Sequence, residues 1–184
     1  MKTGLNRKIH LTIMVMIMSC INPDIEKVCE EDLNKEKGEY SYFTELENAI
    51  SCSKKTNRPI LIIFTSWGGI GNSRHTWDVY EDKEISNLIS KKFIELVLHI
   101  DEQVPLEEEY TSCYLNKEKK IRTVGQKNTD FQRSEFHTTS CPYYVIIDSK
   151  KSQMVEAIGY TRLENKSKFE RFLKDGLTKY KSTK

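Results

Sequence analysis

The chain has 184 residues, of which 38% are hydrophobic, 10% aromatic and 30% charged, the composition of one globular domain and not of a disordered or fibrous protein. Lys plus Arg number 29 against 27 Asp plus Glu, so no charge excess draws the chain to nucleic acid, and no nucleic-acid partner is expected. Pro and Gly are sparse, at 4 and 8, and no internal period recurs, which excludes collagen, stacked repeats and low-complexity linkers.

Lys2, Arg7 and Lys8 precede an apolar run from Leu11 to Met18 that ends at Ser19-Cys20. A basic stretch followed by a short apolar one is the pattern of a secretory signal, and the run is far shorter than the about 20 apolar residues of a membrane span. Ile17-Met18-Ser19-Cys20 resembles the lipobox of bacterial lipoproteins, with Met18 a less usual occupant of its position. The resemblance implies a leader over 1–19, lipidation of Cys20 as the new N-terminus, and attachment to a membrane by more than one acyl chain. Without the three basic residues of the leader, 26 basic groups stand against 27 acidic ones. Residues 22–39 are rich in charge and poor in large apolar groups, so 20–42 is read as a solvated tether.

Thr44-Glu45-Leu46-Glu47 has the capping-box pattern, and Phe43, Leu46 and Ile50 follow at helical spacing, which predicts a helix over about 44–55. Ile60-Leu61-Ile62-Ile63-Phe64 is a continuous, mostly β-branched run suited to a strand buried on both faces. Gly68, Gly69 and Gly71 break it; one long or broken helix is expected over 73–91 and a second apolar strand over 93–100. The charged stretch 101–122 is too long for a routine connection, so it is expected to be functional or mobile. A short helix follows around 126–136. Tyr143 to Asp148 and Met154 to Ile158, joined through Ser149-Lys150-Lys151-Ser152, read as a β-hairpin. Phe169, Phe172, Leu173, Leu177 and Tyr180 fall on one face of a last helix that begins near Glu164. The order predicts an α/β domain over 43–181 with a thioredoxin-like arrangement, a mixed central sheet flanked by helices.

Several stretches carry a more specific likeness: Arg58 to Thr65, Trp67-Gly68, Asn72-Ser73-Arg74, His99 to Glu102, Arg122 to Gly125, Phe131-Gln132-Arg133 and Pro142 to Asp148. In order and spacing they resemble the thioredoxin-like periplasmic domain of the thiol:disulfide interchange protein DsbD, of the type found in Bacteroidetes. The resemblance implies electron transfer by thiol-disulfide exchange through a Cys-x-x-Cys at a helix N-terminus, which lowers a thiol pKa. This chain departs from that pattern at two places. Counting forward from Phe64-Thr65 puts Gly69 and Asn72 where the cysteines belong, and counting back from Arg74 puts Ile70 and Ser73 there. The family's buried Asp, which helps move protons for the cysteine pair, is matched by Ile63. Pro142 matches the family's cis-proline, opposite the active-site loop, with Cys141 just before it.

Once Cys20 is lipidated, Cys29, Cys52, Cys113 and Cys141 remain, and four cysteines in a compartment that permits disulfides allow three full pairings or none. A Cys113–Cys141 bridge would pin the 101–122 stretch over the cleft. Gly69-Ile70-Gly71-Asn72-Ser73-Arg74 lacks the Lys of a P-loop and the third Gly of a dinucleotide fingerprint. His75, His99 and His137 with Cys141 offer no second ligand pair, so neither metal nor other cofactor is expected.

The leading expectation is a lipid-anchored domain of the bacterial cell envelope. It would be redox-degenerate, an adaptor holding an extended segment of another protein in a cleft of Trp67, Gly68, Gly69, Ile70, Asn72, Ser73 and Pro142. The alternative is a thiol-disulfide oxidoreductase using Cys141, with or without Cys113 or Cys52. A third reading is a purely structural part of an envelope assembly, for which Trp67→Ala would leave partner binding unchanged.

Overall fold

The computed structural model describes residue 29 and residues 34–36, 40–68, 81–114, 117–159 and 166–182. In chain order its elements are β1 (Asn34–Glu36), β2 (Tyr40–Tyr42), α1 (Leu46–Thr56), β3 (Ile60–Thr65), α2 (Lys83–Lys92), β4 (Ile94–His99), β5 (Pro105–Tyr114), β6 (Lys117–Thr123), α3 (Val124–Phe136), β7 (Tyr143–Asp148), β8 (Gln153–Ile158) and α4 (Lys166–Ser182). The central sheet has the order β4-β3-β7-β8, with β4 parallel to β3 and both β7 and β8 antiparallel to their neighbours.

Every residue of β3 is buried, as a continuous apolar run predicts for a strand covered on both faces. Alternation then divides its side chains. Leu61 and Ile63 pack with Ile85 and Ile89 of α2 and with Phe169, Phe172 and Leu173 of α4. Ile60, Ile62 and Phe64 pack on the other face with Ala49 and Cys52 of α1 and with Phe131 and Phe136 of α3. Each fully buried Ile or Leu in these layers contributes about 1.5–3 kcal/mol of transfer free energy. The expected α/β architecture, a mixed sheet between helices, is the one observed.

Three local expectations are corrected. The Thr44 capping box is not used: Glu45 is the N-cap of α1, without a side-chain cap bond. The cause lies one residue earlier. Phe43 is buried and bridged to the edge of β4, its N–H donating to the Glu95 carbonyl and its carbonyl accepting from the Val97 N–H, both at 2.8 Å. Thr44 and Glu45 are then spent turning the chain from sheet to helix.

The 101–122 stretch, expected to be functional or mobile, is not one long irregular connection. It is largely the antiparallel hairpin of β5 and β6, in which Tyr110 pairs with Ile121 and Cys113 with Glu118. Alternation again explains it: Tyr110 and Ser112 bond Asp130 of α3, and Ile121 is buried.

The stretch read as a tether is also tied down in part. β1 pairs with β2, and Cys29, buried, is bonded to Cys52 of α1. Of the helix expected over 73–91, the part up to residue 80 lies outside the described residues. Asp82 caps α2, accepting from the N–H groups of Glu84 and Ile85.

Candidate functional site

The parallel strands β3 and β4 end side by side, and the Ile100 N–H donates to the Thr65 carbonyl at 2.8 Å to close the pair. Beyond that point the two chains grip one another through side chains. The Asp101 carboxylate accepts from the backbone N–H groups of Trp67 and Gly68, each at 2.9 Å. Glu102 accepts the indole N–H of Trp67 at 3.0 Å and the Gln103 N–H at 2.9 Å. These bonds, the indole one foremost, hold the Glu102 carboxyl below its ordinary range.

Trp67 itself lies flat on His99, with ring centroids 3.7 Å apart and planes 4° from parallel, and yet remains 55% exposed. A large apolar ring is therefore fixed in place at the carboxyl ends of the parallel strands, where α/β sheets bind their ligands.

Helix α3 supports this end of the sheet from the other side. Asn128 donates its amide N–H to the His99 carbonyl at 2.9 Å, and buried Gln132 donates to the Ser140 carbonyl at 2.7 Å. Gln132 thereby holds the turn that leads into β7, in which the Cys141–Pro142 bond is cis and Pro142 is buried. The Cys141 sulfur lies 3.8 Å from the Phe64 carbonyl oxygen. Burial pushes its thiol up to about 11; a bond with Ser66 opposes the rise and the Asp101 charge adds to it.

Trp67, Gly68, Cys141 and Pro142 thus occupy the same end of the sheet, connected through Ser66 and Asp101. Gly69, Ile70, Asn72 and Ser73 lie outside the described residues, as do Cys20 and the Gly69–Arg74 stretch. The pairing left open among the cysteines resolves as a Cys29–Cys52 disulfide, and the Cys113–Cys141 bridge is not formed: neither thiol is in a disulfide, and Cys113 is exposed on β5.

Two features escaped the sequence reading. The stretch His99 to Glu102 drew notice for its likeness alone, although its acids fix Trp67. Glu95, the lone acid within the apolar run of β4, is a buried carboxyl. Its Oε1 has no hydrogen-bond partner among the described residues, and burial pushes its pKa up to about 8. Ile63 is buried between Val97 and Tyr144, so an acid does enter this core, one strand away from the place the resemblance implied. The Tyr144 phenol is pushed up by burial first, then by Cys141 and Glu95.

No protein-family model matches the sequence, and no curated protein matches it. Among solved structures the chain is similar to the DsbH oxidoreductase, at 17% identity over 77% of this chain and 93% of that one, with a TM-score of 0.52. It is also similar to a thioredoxin from Thermus thermophilus, at 13% identity over 72% of this chain and 84% of that one, again with a TM-score of 0.52. The fold is thioredoxin-like.

Proposed function

We propose that the chain is a cell-envelope lipoprotein whose thioredoxin-like domain binds an extended segment of another protein and carries out no dithiol exchange. The cleft would be formed by Trp67, Gly68, Gly69, Ile70, Asn72, Ser73 and Pro142. The observation that carries this reading is Trp67, an exposed indole immobilised by His99, Asp101 and Glu102. A ring already held in place loses little conformational freedom on binding, which is what a recognition surface requires.

The thiols support the same reading. The cysteines stand at 20, 29, 52, 113 and 141, and no two of them form a Cys-x-x-Cys. Cys52 is consumed in a disulfide, and Cys113 is not bonded to Cys141. With its pKa near 11, Cys141 is ionised at pH 7 in only about one molecule in ten thousand. That works against Cys141 as a replacement nucleophile.

An envelope location is supported by the basic and apolar N-terminal stretches that precede Cys20 and by the Cys29–Cys52 disulfide, which suits an oxidising compartment. No described helix is long and apolar enough to cross a membrane; the attachment in this reading is the acyl chains on Cys20.

Two assays on the full chain test the proposal. In reduction of insulin disulfides by dithiothreitol, the protein is expected to add nothing to the uncatalysed rate, with Cys141→Ser indistinguishable from it. Labelled extended octapeptides are expected to bind, and Trp67→Ala to weaken them several-fold. Catalytic turnover abolished by Cys141→Ser would instead establish the single-thiol oxidoreductase.

A further inference from the structure

We propose that the segment bound at Trp67 presents a cationic side chain, Arg in preference to Lys, which lies on the open face of the indole beside the carboxylates of Asp101 and Glu102. This rests on the binding reading above and specifies the chemistry of what is bound.

The argument starts from charge. Asp101 and Glu102 are adjacent acids at the same rim, and the groups they hold are neutral: two backbone N–H groups for Asp101, the indole N–H and the Gln103 N–H for Glu102. Neither takes part in an ion pair among the described residues, although Glu109, Glu45, Asp82, Glu84, Glu170 and Glu156 all do. Among the described residues two carboxylates therefore border the exposed ring outside any ion pair, and His99, whose charge also acts on Glu102, lies on the covered face of the indole.

The ring adds a second attraction. His99 covers one face of the indole, and 55% of Trp67 is still exposed. Trp is the strongest of the aromatic cation acceptors, and an indole whose N–H is given to a carboxylate is polarised toward greater electron density on its faces. A guanidinium can stack flat on such a face while its N–H fork reaches a carboxylate at the rim, which an ammonium cannot do with the same economy of geometry. An acidic segment would be repelled at the same place, so the arrangement selects as well as binds.

The test uses the full chain and fluorescein-labelled octapeptide mixtures, random except for a central Arg, Lys, Leu or Glu, followed by fluorescence polarisation. The Arg mixture is expected to bind about 5-fold tighter than the Leu mixture and the Glu mixture to be weakest, with the Arg preference shrinking as salt rises from 0.05 to 0.5 M, concentrations at which the Debye length falls from about 14 to about 4 Å. Trp67→Ala is expected to bring Arg and Leu within about 2-fold of one another. Glu102→Gln keeps an acceptor for the indole N–H and removes only the charge, so it is expected to lower the Arg preference without loss of folding, checked by circular dichroism. Equal affinities for the Arg and Leu mixtures, or a preference that survives Trp67→Ala, would overturn the cationic specificity and leave segment binding standing. No binding by any mixture would overturn both.

Discussion

Gly125 lies directly against the backbone of Glu102. Its N–H donates to the Glu102 carbonyl at 2.9 Å, and a Cβ on it would come within 2.7 Å of that carbonyl oxygen and 2.8 Å of the Ile100 carbonyl oxygen. Backbone cannot move aside as a flexible side chain would, so the first turn of α3 and the chain after β4 meet only because residue 125 has no side chain. Glu102 in turn holds the Trp67 indole. Gly125→Ala is therefore expected to cost about 1–3 kcal/mol through overpacking and to loosen Trp67 at the same time. Urea unfolding measures the first effect. Trp67 fluorescence in a Trp77→Phe background measures the second, as a red shift of emission when the ring leaves His99; unchanged emission would show that Glu102 does not transmit the displacement.

Glu95 makes the stability of the fold depend on pH in an unusual direction. Burial raises its folded-state pKa from 4.5 to about 8, through the lost hydration of the charged form. A group whose folded pKa lies above its unfolded value keeps its full contribution below the unfolded pKa and loses it as pH rises through the folded one. Stability is thus expected to fall between about pH 4.5 and pH 8, by roughly 5 kcal/mol from this group. Glu95→Gln removes the ionisation and keeps the shape. Its stability should match that of the parent near pH 5 and exceed it at pH 9. Parallel pH profiles of the urea midpoint for the two proteins would show that Glu95 ionises in the folded state without penalty.

The strands and helices were legible where a single physical cause dominates. The β-branched run 60–64 could satisfy its apolar side chains on both faces only at the centre of a sheet, and Phe169, Phe172, Leu173 and Tyr180 could share one face only on a helix. Thr44 misled because its spacing to Glu47 is a local signal, overridden by the pairing of Phe43 with the edge of β4. The hairpin of β5 and β6 was hidden by its charge. Glu107, Glu108, Lys119 and Lys120 are exposed, and the period that identifies a strand survives on one face alone, in Tyr110, Ser112 and Ile121. Of the candidate site, the cis bond before Pro142 was an implication of the family resemblance, and Trp67 was noted with its exposure left open. The grip of Asp101 and Glu102 on Trp67 spans 34 and 35 residues, and no local pattern announces a contact made at that separation.

The Cys29–Cys52 disulfide gives the last prediction. It joins residues 23 apart and ties Cys29, which is otherwise remote from the sheet in sequence, into the layer formed by Phe43, Ala49 and Ile94. Closing a loop of that length restricts the unfolded chain by about 3 kcal/mol in the loop-entropy account. Cys29→Ala together with Cys52→Ala is expected to lower stability by that amount, and dithiothreitol to lower the parent to the same urea midpoint while leaving the double variant unmoved. Peptide mapping provides the chemical check. Alkylation in denaturant should label Cys113 and Cys141 before reduction and reach Cys29 and Cys52 only after it; in the native protein exposed Cys113 should react well ahead of Cys141, whose thiol is pushed up to about 11. Label missing from Cys113 and Cys141 together would mean that those two are bridged, and would return the β5–β6 hairpin to a place over the cleft.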